Sequence, residues 1–464
     1  MNHKLKPNCL NFIELLAQNI ALISPTMTAA LIIPLMFGTT GNISWLSYAV
    51  GTVMLLFVAF NLNQFARRTT NSGSMYTYTS SGLGFTGGAL CGWCLVWAYL
   101  FIGLAGTTGF TIFSGKLLEM VHIPAPPVLL FAVCLGACFL LAYFDIKVST
   151  LVMLGAEAFS CFFILLLCVI VLGHHHFALD ATQFTLKGVS LSTLGMGVVV
   201  AIFSLVGFES STAFGEEAVN PLKTIPKSII WSLVLTGAFF IFVCYTEVLG
   251  IQGYKDTLDK VDAPLNVLSG MYGVPFLSPL LSAGAMFSFF ALALSCMNAG
   301  ARVMFAMGRH EFFPPATSAA HPKHATPHVA LAVMAVIMFA VVTISKFAFG
   351  WQVLDEFNNA GTMGAFGFLG AYFLVSIAAP AFLKKRGELK AKDVGMCVAA
   401  VALMIIPTVG MFVPLPDPPV RYFPYVFGAY LFFGYARVMA MQHQIPERVG
   451  EIQDEVKKMH AATA

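Results

Sequence analysis

Two residues stand out in the stretch AIFSLVGFESSTAFGEEAVNPLKTI, which covers residues 201–225. Gly207 lies in the middle of an apolar run, where glycine loosens a helical backbone. Glu209 follows it, at the depth where a hydrophobic segment should carry no charge. A helix that breaks inside a bilayer exposes amides and carbonyls, which are tolerated only where they line a cavity or bind something. An acid beside such a break predicts a functional site.

The first apolar segment is interrupted in a similar way. Residues 23–28, ISPTMT, place a proline and three hydroxyls in its middle, and proline removes a backbone donor and clashes with the preceding turn. The interrupted segments are the first and the sixth. Interrupted helices at corresponding positions of two halves indicate an inverted-repeat transporter. The alternative interpretation is that Pro25 only kinks the first helix.

Broken helices offer two complementary kinds of chemistry. A half-helix that begins at mid-membrane presents free N–H groups and a positive dipole end, which suit a carboxylate. A half-helix that ends there presents carbonyls, which suit an ammonium. The predicted substrate-binding residues are Ile23, Ser24, Pro25, Thr26, Met27, Thr28, Phe203, Ser204, Leu205, Val206, Gly207 and Phe208.

The composition is that of a membrane protein. Of the 464 residues, 58% are hydrophobic and 10% are charged, against about 25% charged in soluble domains. The net charge of +3 is too small to indicate a nucleic-acid partner. The ten cysteines lie mostly inside apolar runs, so we interpret them as small buried residues and not as a disulfide framework.

Hydropathy predicts an all-α membrane protein with about twelve transmembrane helices. We place them near 12–37, 43–66, 84–112, 127–144, 148–172, 192–214, 226–249, 277–304, 327–346, 354–379, 393–413 and 422–440. Residues 71–84 are expected to form a short interfacial helix, and the polar tail after residue 442 is expected to be helical.

The positive charges support this count. If the N-terminus is cytoplasmic, nineteen of the 25 Lys and Arg fall inside and six outside, as the positive-inside rule requires for an even number of spans. We therefore predict a multi-pass protein of the inner (cytoplasmic) membrane with both termini cytoplasmic. The predicted organisation is a cytoplasmic segment 1–11, a first repeat 12–172, a second repeat 192–379, two further helices in 393–440 and a tail 441–464.

Four motifs carry a family resemblance. GFESSTAFGEEAVNPLKTIPKSI closely resembles the sixth-helix signature of the amino acid–polyamine–organocation (APC) superfamily. NSGSMYTYTSSGLG, MNAGARVMFAMGRHEFFPP and HPKHATPHVALAV resemble, in order, the stretch after helix two, the end of helix eight and the start of helix nine. The resemblance spans about residues 20–440 and implies a 5+5 inverted repeat with broken helices 1 and 6. It also implies transport, without covalent chemistry, cofactor or metal.

The resemblance also assigns roles to single residues. Phe208 is similar to an aromatic lid over the substrate, and Glu209 resembles a proton-linked gate residue. Glu157 lies in the fifth span, where some proton-coupled relatives carry a lysine that this chain lacks, so either Glu157 carries the proton, or coupling differs, or transport is exchange. A structural role is an equal alternative for both acids. Ser24-Pro25-Thr26 resembles superfamily branches that include polyamine importers.

Three other motifs lack the structural surroundings that their usual functions require. The G-x-G-x-x-G at residues 82–87 follows no strand, the C-x-x-C at residues 91–94 lies in a span, and the histidines at 174–176 lie in a loop with one nearby acid. We see no filter sequence of a channel and no H-E-x-x-H or G-x-S-x-G of an enzyme. The sequence therefore predicts a secondary active transporter for amino acids, working by alternating access and coupled to protons. A polyamine or other amine importer and an amino acid exchanger are the alternatives.

Overall fold

The computed structural model describes residues 4–69, 73–185, 190–261, 263–413 and 415–461. Within these ranges the chain is helical, and the only strand-like pairing is a single parallel bridge between Leu10 and Ala218. Lys187, which the charge count assigns to the outside, lies outside the described residues. So do residues 1–3 and 462–464 of the two predicted terminal segments.

Sixteen α-helices follow one another in the described residues. Their bounds are α1 Phe12–Ile23, α2 Pro25–Met27, α3 Ile33–Thr40, α4 Ser44–Ala66, α5 Ser74–Met120, α6 Pro127–Phe144, α7 Ile146–His174, α8 Leu191–Leu205, α9 Pro221–Gly250, α10 Pro264–Met271, α11 Leu277–Arg309, α12 His328–Phe349, α13 Val353–Lys385, α14 Ala391–Gly410, α15 Phe423–Gln444 and α16 Pro446–Ala461. A π-helical turn, Thr28–Ile32, joins α2 to α3, and a 3₁₀ turn, Ser210–Phe214, follows α8.

These elements contain the twelve predicted spans. Ten stretches of the described chain are long and apolar enough to cross a bilayer, and the first of them, Phe12–Ala66, contains two crossings. The twelfth predicted span, 422–440, coincides with the helix α15, which is not among these ten and whose tyrosines and polar residues lower its hydropathy. We call residues 12–40 span 1 and residues 191–214 span 6. The fold class is thus confirmed, and so is the polar helix after the last span.

Local signals set several helix ends. Asn11 caps α1, where its side chain accepts from the Glu14 N–H while the Glu14 carboxylate accepts from the Asn11 N–H. Asp145 caps α7. Of the interfacial helix predicted at residues 71–84, residues 71 and 72 lie outside the described residues, and residues 74–84 are the start of α5, which bends at Gly84, where φ is +77°.

The centre of the molecule is formed by α5, α11 and α13, which are mostly buried. Small residues let them approach closely, as in other membrane helices. A Cβ on Gly106 would lie 2.7 Å from the backbone nitrogen of Ala293, and one on Gly367 would lie 2.5 Å from the Cys94 carbonyl. Peripheral helices instead expose large apolar side chains such as Phe162, which suits lipid contact.

Candidate functional site

Span 1 is broken at Ser24. Its φ of +52° lies in the left-handed region, and its N–H donates to the Ile20 carbonyl, which ends α1. Pro25 then occupies the first position of the next helix, where a missing N–H costs nothing. The backbone amides of Thr26 and Met27 consequently lie at a helix N-terminus inside span 1.

Span 6 is broken one residue after α8 ends. Val206 is extended and Gly207 has a φ of +95°, so the chain leaves the helix here and resumes only in the 3₁₀ turn at Ser210. A Cβ on Gly207 would lie 1.8 Å from Leu22 Cδ2. Glycine is therefore required at this position for two reasons. The backbone has a positive φ, and the close approach of span 1 leaves no room for a Cβ.

The two breaks are tied together by one asparagine that the sequence analysis overlooked. Asn19 Oδ1 accepts from the Ser211 N–H at 2.7 Å and from the Ser210 hydroxyl at 3.0 Å. Its amide nitrogen lies 3.3 Å from Ser232 Oγ, and Ser232 donates to the Phe208 carbonyl. Span 1 thereby holds the non-helical part of span 6 in place.

Glu157 lies beside the break of span 1. The Ser288 hydroxyl donates to Glu157 Oε1 at 2.7 Å and lies 3.2 Å from the Ser24 hydroxyl. One turn along α7, Ser160 is hydrogen-bonded to Thr26. Glu157 Oε2 is buried and has no hydrogen-bond partner among the described residues. A short hydrogen-bonded chain therefore runs from the break to an incompletely satisfied carboxyl group.

Glu209 is in a different situation. Tyr372 donates to Glu209 Oε2 at 2.6 Å and Tyr99 donates to Oε1 at 3.3 Å, so both oxygens are partnered. The Tyr372 hydroxyl also accepts from the Gly207 N–H at 3.1 Å. The ring of Phe208 packs against that of Tyr372 with 5.3 Å between centroids. One tyrosine of α13 thus fixes the break, the acid and the predicted aromatic lid.

The predicted residues form one buried group. Residues 23–28 and 204–209 are all buried, and only Phe203 is half-buried, with its ring against Gly361 of α13. The side chains that the sequence analysis missed are polar residues within apolar spans. They are Gln18, Asn19, Tyr99, Ser160, Ser288 and Tyr372. Their polarity inside a span was the available signal.

The end of the molecule that carries both chain termini is closed by ion pairs. Arg302 of α11 binds Glu217 through two nitrogens, at 2.5 and 2.8 Å, and both side chains are fully buried. The guanidinium also lies 4.3 Å from the Phe214 ring centroid. Glu216 pairs with Arg309 at 2.7 Å. Both acids of this segment thus pair with arginines of α11.

The N-terminal segment covers this ion-paired end. Glu217 accepts through its carbonyl from the Cys9 and Leu10 amides, and the Leu10 carbonyl accepts from Val219. Lys6 forms an ion pair with Asp145 at 2.7 Å, and this hydrogen bond raises the pKa of the Lys6 ammonium. Segment and spans are thereby connected across the closed end.

The C-terminal helix reaches the same end. Arg448 donates to Glu311 at 3.0 Å and to the Arg309 carbonyl. Beside it, the His310 ring accepts or donates at 2.5 Å to the Tyr76 hydroxyl. Burial, together with the nearby Arg448 and Arg309, lowers the pKa of His310 to about 4. His310 is consequently neutral at pH 7.

Motifs rejected from the sequence lie apart from this site. The glycines at residues 82–87 belong to α5, where Gly82 packs against Ala378. Cys91 and Cys94 are free and buried in the same helix. His175 lies 2.8 Å from the Tyr272 hydroxyl. No group of three His, Cys, Asp or Glu suited to a metal occurs within the described ranges.

Two facing breaks in spans 1 and 6, within twelve packed membrane helices, define the inverted-repeat class of membrane transporters. A solved structure of this fold, the crystal structure of MhsT in complex with L-phenylalanine, matches with a TM-score of 0.57. The match covers 88% of this chain and 100% of that one, at 13% sequence identity. The likeness supports the fold alone.

The chain belongs to the amino acid permease family, within the APC superfamily. The family model described as amino acid permease matches residues 15–432. Among curated relatives, the branched-chain amino acid permease BcaP of Bacillus subtilis is 25% identical over 76% of each chain. The low-affinity putrescine importer PlaP of Escherichia coli is 24% identical over 77% of this chain and 79% of its own. Family and relatives establish transport of an amino acid or an amine.

Proposed function

We propose that the protein imports neutral amino acids with apolar side chains, coupled to protons, across the cytoplasmic membrane by alternating access. The observation that carries this proposal is the chain Ser24–Ser288–Glu157, which joins the break of span 1 to a buried carboxyl with one unpartnered oxygen. We assign the two repeats to residues 12–172 and 192–379. Both termini are assigned to the cytoplasm, following the charge distribution.

The two breaks favour a substrate with both a carboxylate and an ammonium. The N–H groups of Thr26 and Met27 face the first charge, and the terminal carbonyls of α8 face the second. Between them lie mostly apolar side chains, among them Phe203, Val206 and Phe208. An apolar wall binds an apolar side chain and disfavours a charged one. The printed description of BcaP, a branched-chain amino acid permease, agrees with this assignment.

A diamine requires two carboxylates with free oxygens. Of the two acids beside the breaks, Glu209 has both oxygens bound by tyrosines, and Glu157 retains one unpartnered oxygen. This argues against putrescine, although PlaP is described as a putrescine importer. The polyamine alternative therefore remains an explicit outcome of the experiment below.

The same difference between Glu157 and Glu209 indicates which of the two acids carries the proton. Glu157 is buried and keeps one unpartnered oxygen, so it can take up a proton there without losing a hydrogen bond. Its connection to Ser24 makes it sensitive to what occupies the break. Glu209 has both oxygens bound by tyrosine hydroxyls and is held in place by them. We assign proton transfer to Glu157 and gating to Glu209.

The ion pairs at the closed end support alternating access. Glu217–Arg302 and Glu216–Arg309 join the segment that follows span 6 to α11, and the N-terminal segment lies across them. For the substrate to leave toward the cytoplasm, these contacts must separate. We therefore assign the described conformation to the state that is closed on the cytoplasmic side.

The test is uptake into proteoliposomes with an inward proton gradient present or absent. The labelled panel is L-leucine, L-phenylalanine, L-arginine, L-glutamate and putrescine. We expect gradient-driven uptake of the first two. Glu157→Gln should remove the dependence on the gradient, and the matched variant Glu209→Gln should reduce the rate while keeping that dependence.

Each other outcome overturns a defined part of the proposal. Putrescine uptake alone would replace the amino acid assignment. Uptake only into vesicles preloaded with substrate would identify an exchanger and remove the proton role of Glu157. If Glu209→Gln abolishes gradient dependence and Glu157→Gln retains it, the two acids exchange roles.

A further inference from the structure

A cavity of about 500 Å³ lies at the end of the molecule opposite the chain termini. We call it the distal cavity. It is lined by parts of α5, α12, α13 and α15 and by the loops beside them. None of its lining residues belongs to the two breaks. Its volume is within the range of small-molecule sites.

One acid is set into this otherwise apolar wall. Glu356 is only 3% exposed, and its Oε1 accepts from the Ser345 hydroxyl at 3.0 Å. Its Oε2 is buried without a hydrogen-bond partner among the described residues. No nitrogen of a described Lys, Arg or His lies within 4.0 Å of the carboxylate. Lys346 is close, but its ammonium donates to the Trp351 carbonyl at 3.4 Å.

The other buried acids differ in their partners, and Glu247 of α9 has none on either oxygen among the described residues. Glu217 has an arginine, and Glu209 has two tyrosines. Glu157 is half-satisfied, like Glu356, but belongs to the substrate region. A half-satisfied buried carboxylate favours a cationic partner, because burial of an unpaired charge is costly.

The surrounding rings favour a particular kind of cation. Phe349 and Trp351 stack with centroids 4.8 Å apart, and Phe101 and Tyr422 contribute two more aromatic side chains to the wall. Aromatic faces attract ammonium groups and also bury apolar surface. We propose that the distal cavity binds a primary ammonium ion carried on an apolar body, with Glu356 as its counter-ion.

Occupation of the cavity acts on the substrate region through α13. This helix carries Glu356, Asn359 and Met363 in the cavity wall, Gly361 against Phe203, and Tyr372 bonded to Glu209. A bound ligand therefore changes the uptake rate without competing for the substrate site.

The probe is labelled 2-phenylethylammonium, and 2-phenylethanol is the neutral competitor of the same shape. Binding to the full-length protein is measured by equilibrium dialysis in nanodiscs, with Glu157→Gln present throughout to reduce binding at the breaks. We expect saturable binding that Glu356→Gln weakens about tenfold, since the neutral amide removes the charge that strengthens the hydrogen bond to the ammonium. Ala360→Phe, which fills the cavity, should abolish it.

Thermal unfolding without the probe checks that both variants fold. Equal binding by Glu356→Gln would overturn the role of the acid, and equal competition by 2-phenylethanol would identify an apolar occupant such as a lipid tail. Binding that survives Ala360→Phe but disappears in Gly207→Ala would place the probe at the breaks and remove the proposal.

Discussion

The two breaks and the closed end differ in how completely their polar groups are satisfied. At the breaks, Glu157 Oε2 and the Thr28 hydroxyl are buried without partners among the described residues. At the closed end, Glu217 and Arg302 satisfy each other through two hydrogen bonds at zero exposure. Both regions are polar and buried.

This difference separates binding from closing. A binding region must keep groups available for its ligand and accept the cost of leaving them unpaired meanwhile. A closing contact must be strong while formed, so its charges are paired and desolvated together. Substitutions at the breaks should therefore act mainly on transport, and substitutions at the closed end mainly on stability and conformation.

The largest effect on transport is expected from Gly207→Ala. The new Cβ would lie 1.8 Å from Leu22 Cδ2 at a φ of +95°, and we expect strain and overpacking of about 2–6 kcal/mol in total. Initial uptake rates should fall about 100-fold or more. Gly195→Ala on α8 is the matched control, because a Cβ there meets no atom within 4 Å. Similar rates for the two variants would contradict the close approach of the spans.

Arg302→Met should have the largest effect on stability. It leaves Glu217 buried and unpaired, at a cost of about 3–5 kcal/mol, which thermal unfolding in detergent micelles measures. Adding Glu217→Gln should recover part of the loss. Lys6→Met, at the half-exposed pair with Asp145, should cost less than about 1 kcal/mol. An equal loss in both single variants would mean that burial does not set the strength of this contact.

Tyr372→Phe tests the link between the regions. It removes the donor to Glu209 and the acceptor of the Gly207 N–H, and a buried group left unsatisfied costs about 1–3 kcal/mol. We expect uptake about tenfold slower. Tyr430→Phe, which loses only a bond to the Trp93 carbonyl, should transport at nearly the wild-type rate. A normal rate in Tyr372→Phe would show that Glu209 is held without it.

The smallest effect concerns acid sensitivity at the closed end. Burial beside Arg448 and Arg309 lowers the pKa of His310 to about 4, so the folded protein keeps this ring neutral while the unfolded chain protonates it below its ordinary pKa of about 6.5. The contribution of the neutral His310 to the free energy of unfolding is therefore complete above a pH of about 6.5 and decreases as the pH falls toward 4. Between pH 7 and pH 5 we expect a loss of about 2 kcal/mol.

The measurement is the melting temperature at the two pH values for wild type and His310→Gln. Tyr76 and Glu455 also face the ring, the latter at 3.9 Å. If Glu455 pairs with a protonated His310, the two proteins will lose the same amount of stability on acidification, and the assignment of a neutral histidine fails.

Secondary structure could be predicted from the sequence because each span forms its backbone hydrogen bonds within itself. Apolar runs of bilayer length can only be helices, and predicted bounds such as 127–144 coincide with α6 Pro127–Phe144. The two breaks could also be predicted from the sequence, because Pro25 and Gly207 change the conformation of their own backbone. The span at residues 422–440 was also predicted, although α15 has a lower hydropathy. The resulting even number of spans agreed with the charge distribution.

What the sequence by itself determined is therefore local: helices, their two interruptions, and the acids nearest to them. Only the tertiary structure decided the partners. Glu209 receives tyrosines from α5 and α13, and Glu157 receives a serine from α11. Such contacts depend on how each helix is rotated and shifted against its neighbours. The packing of small and large side chains along whole helices sets that rotation, and no local pattern of residues contains it.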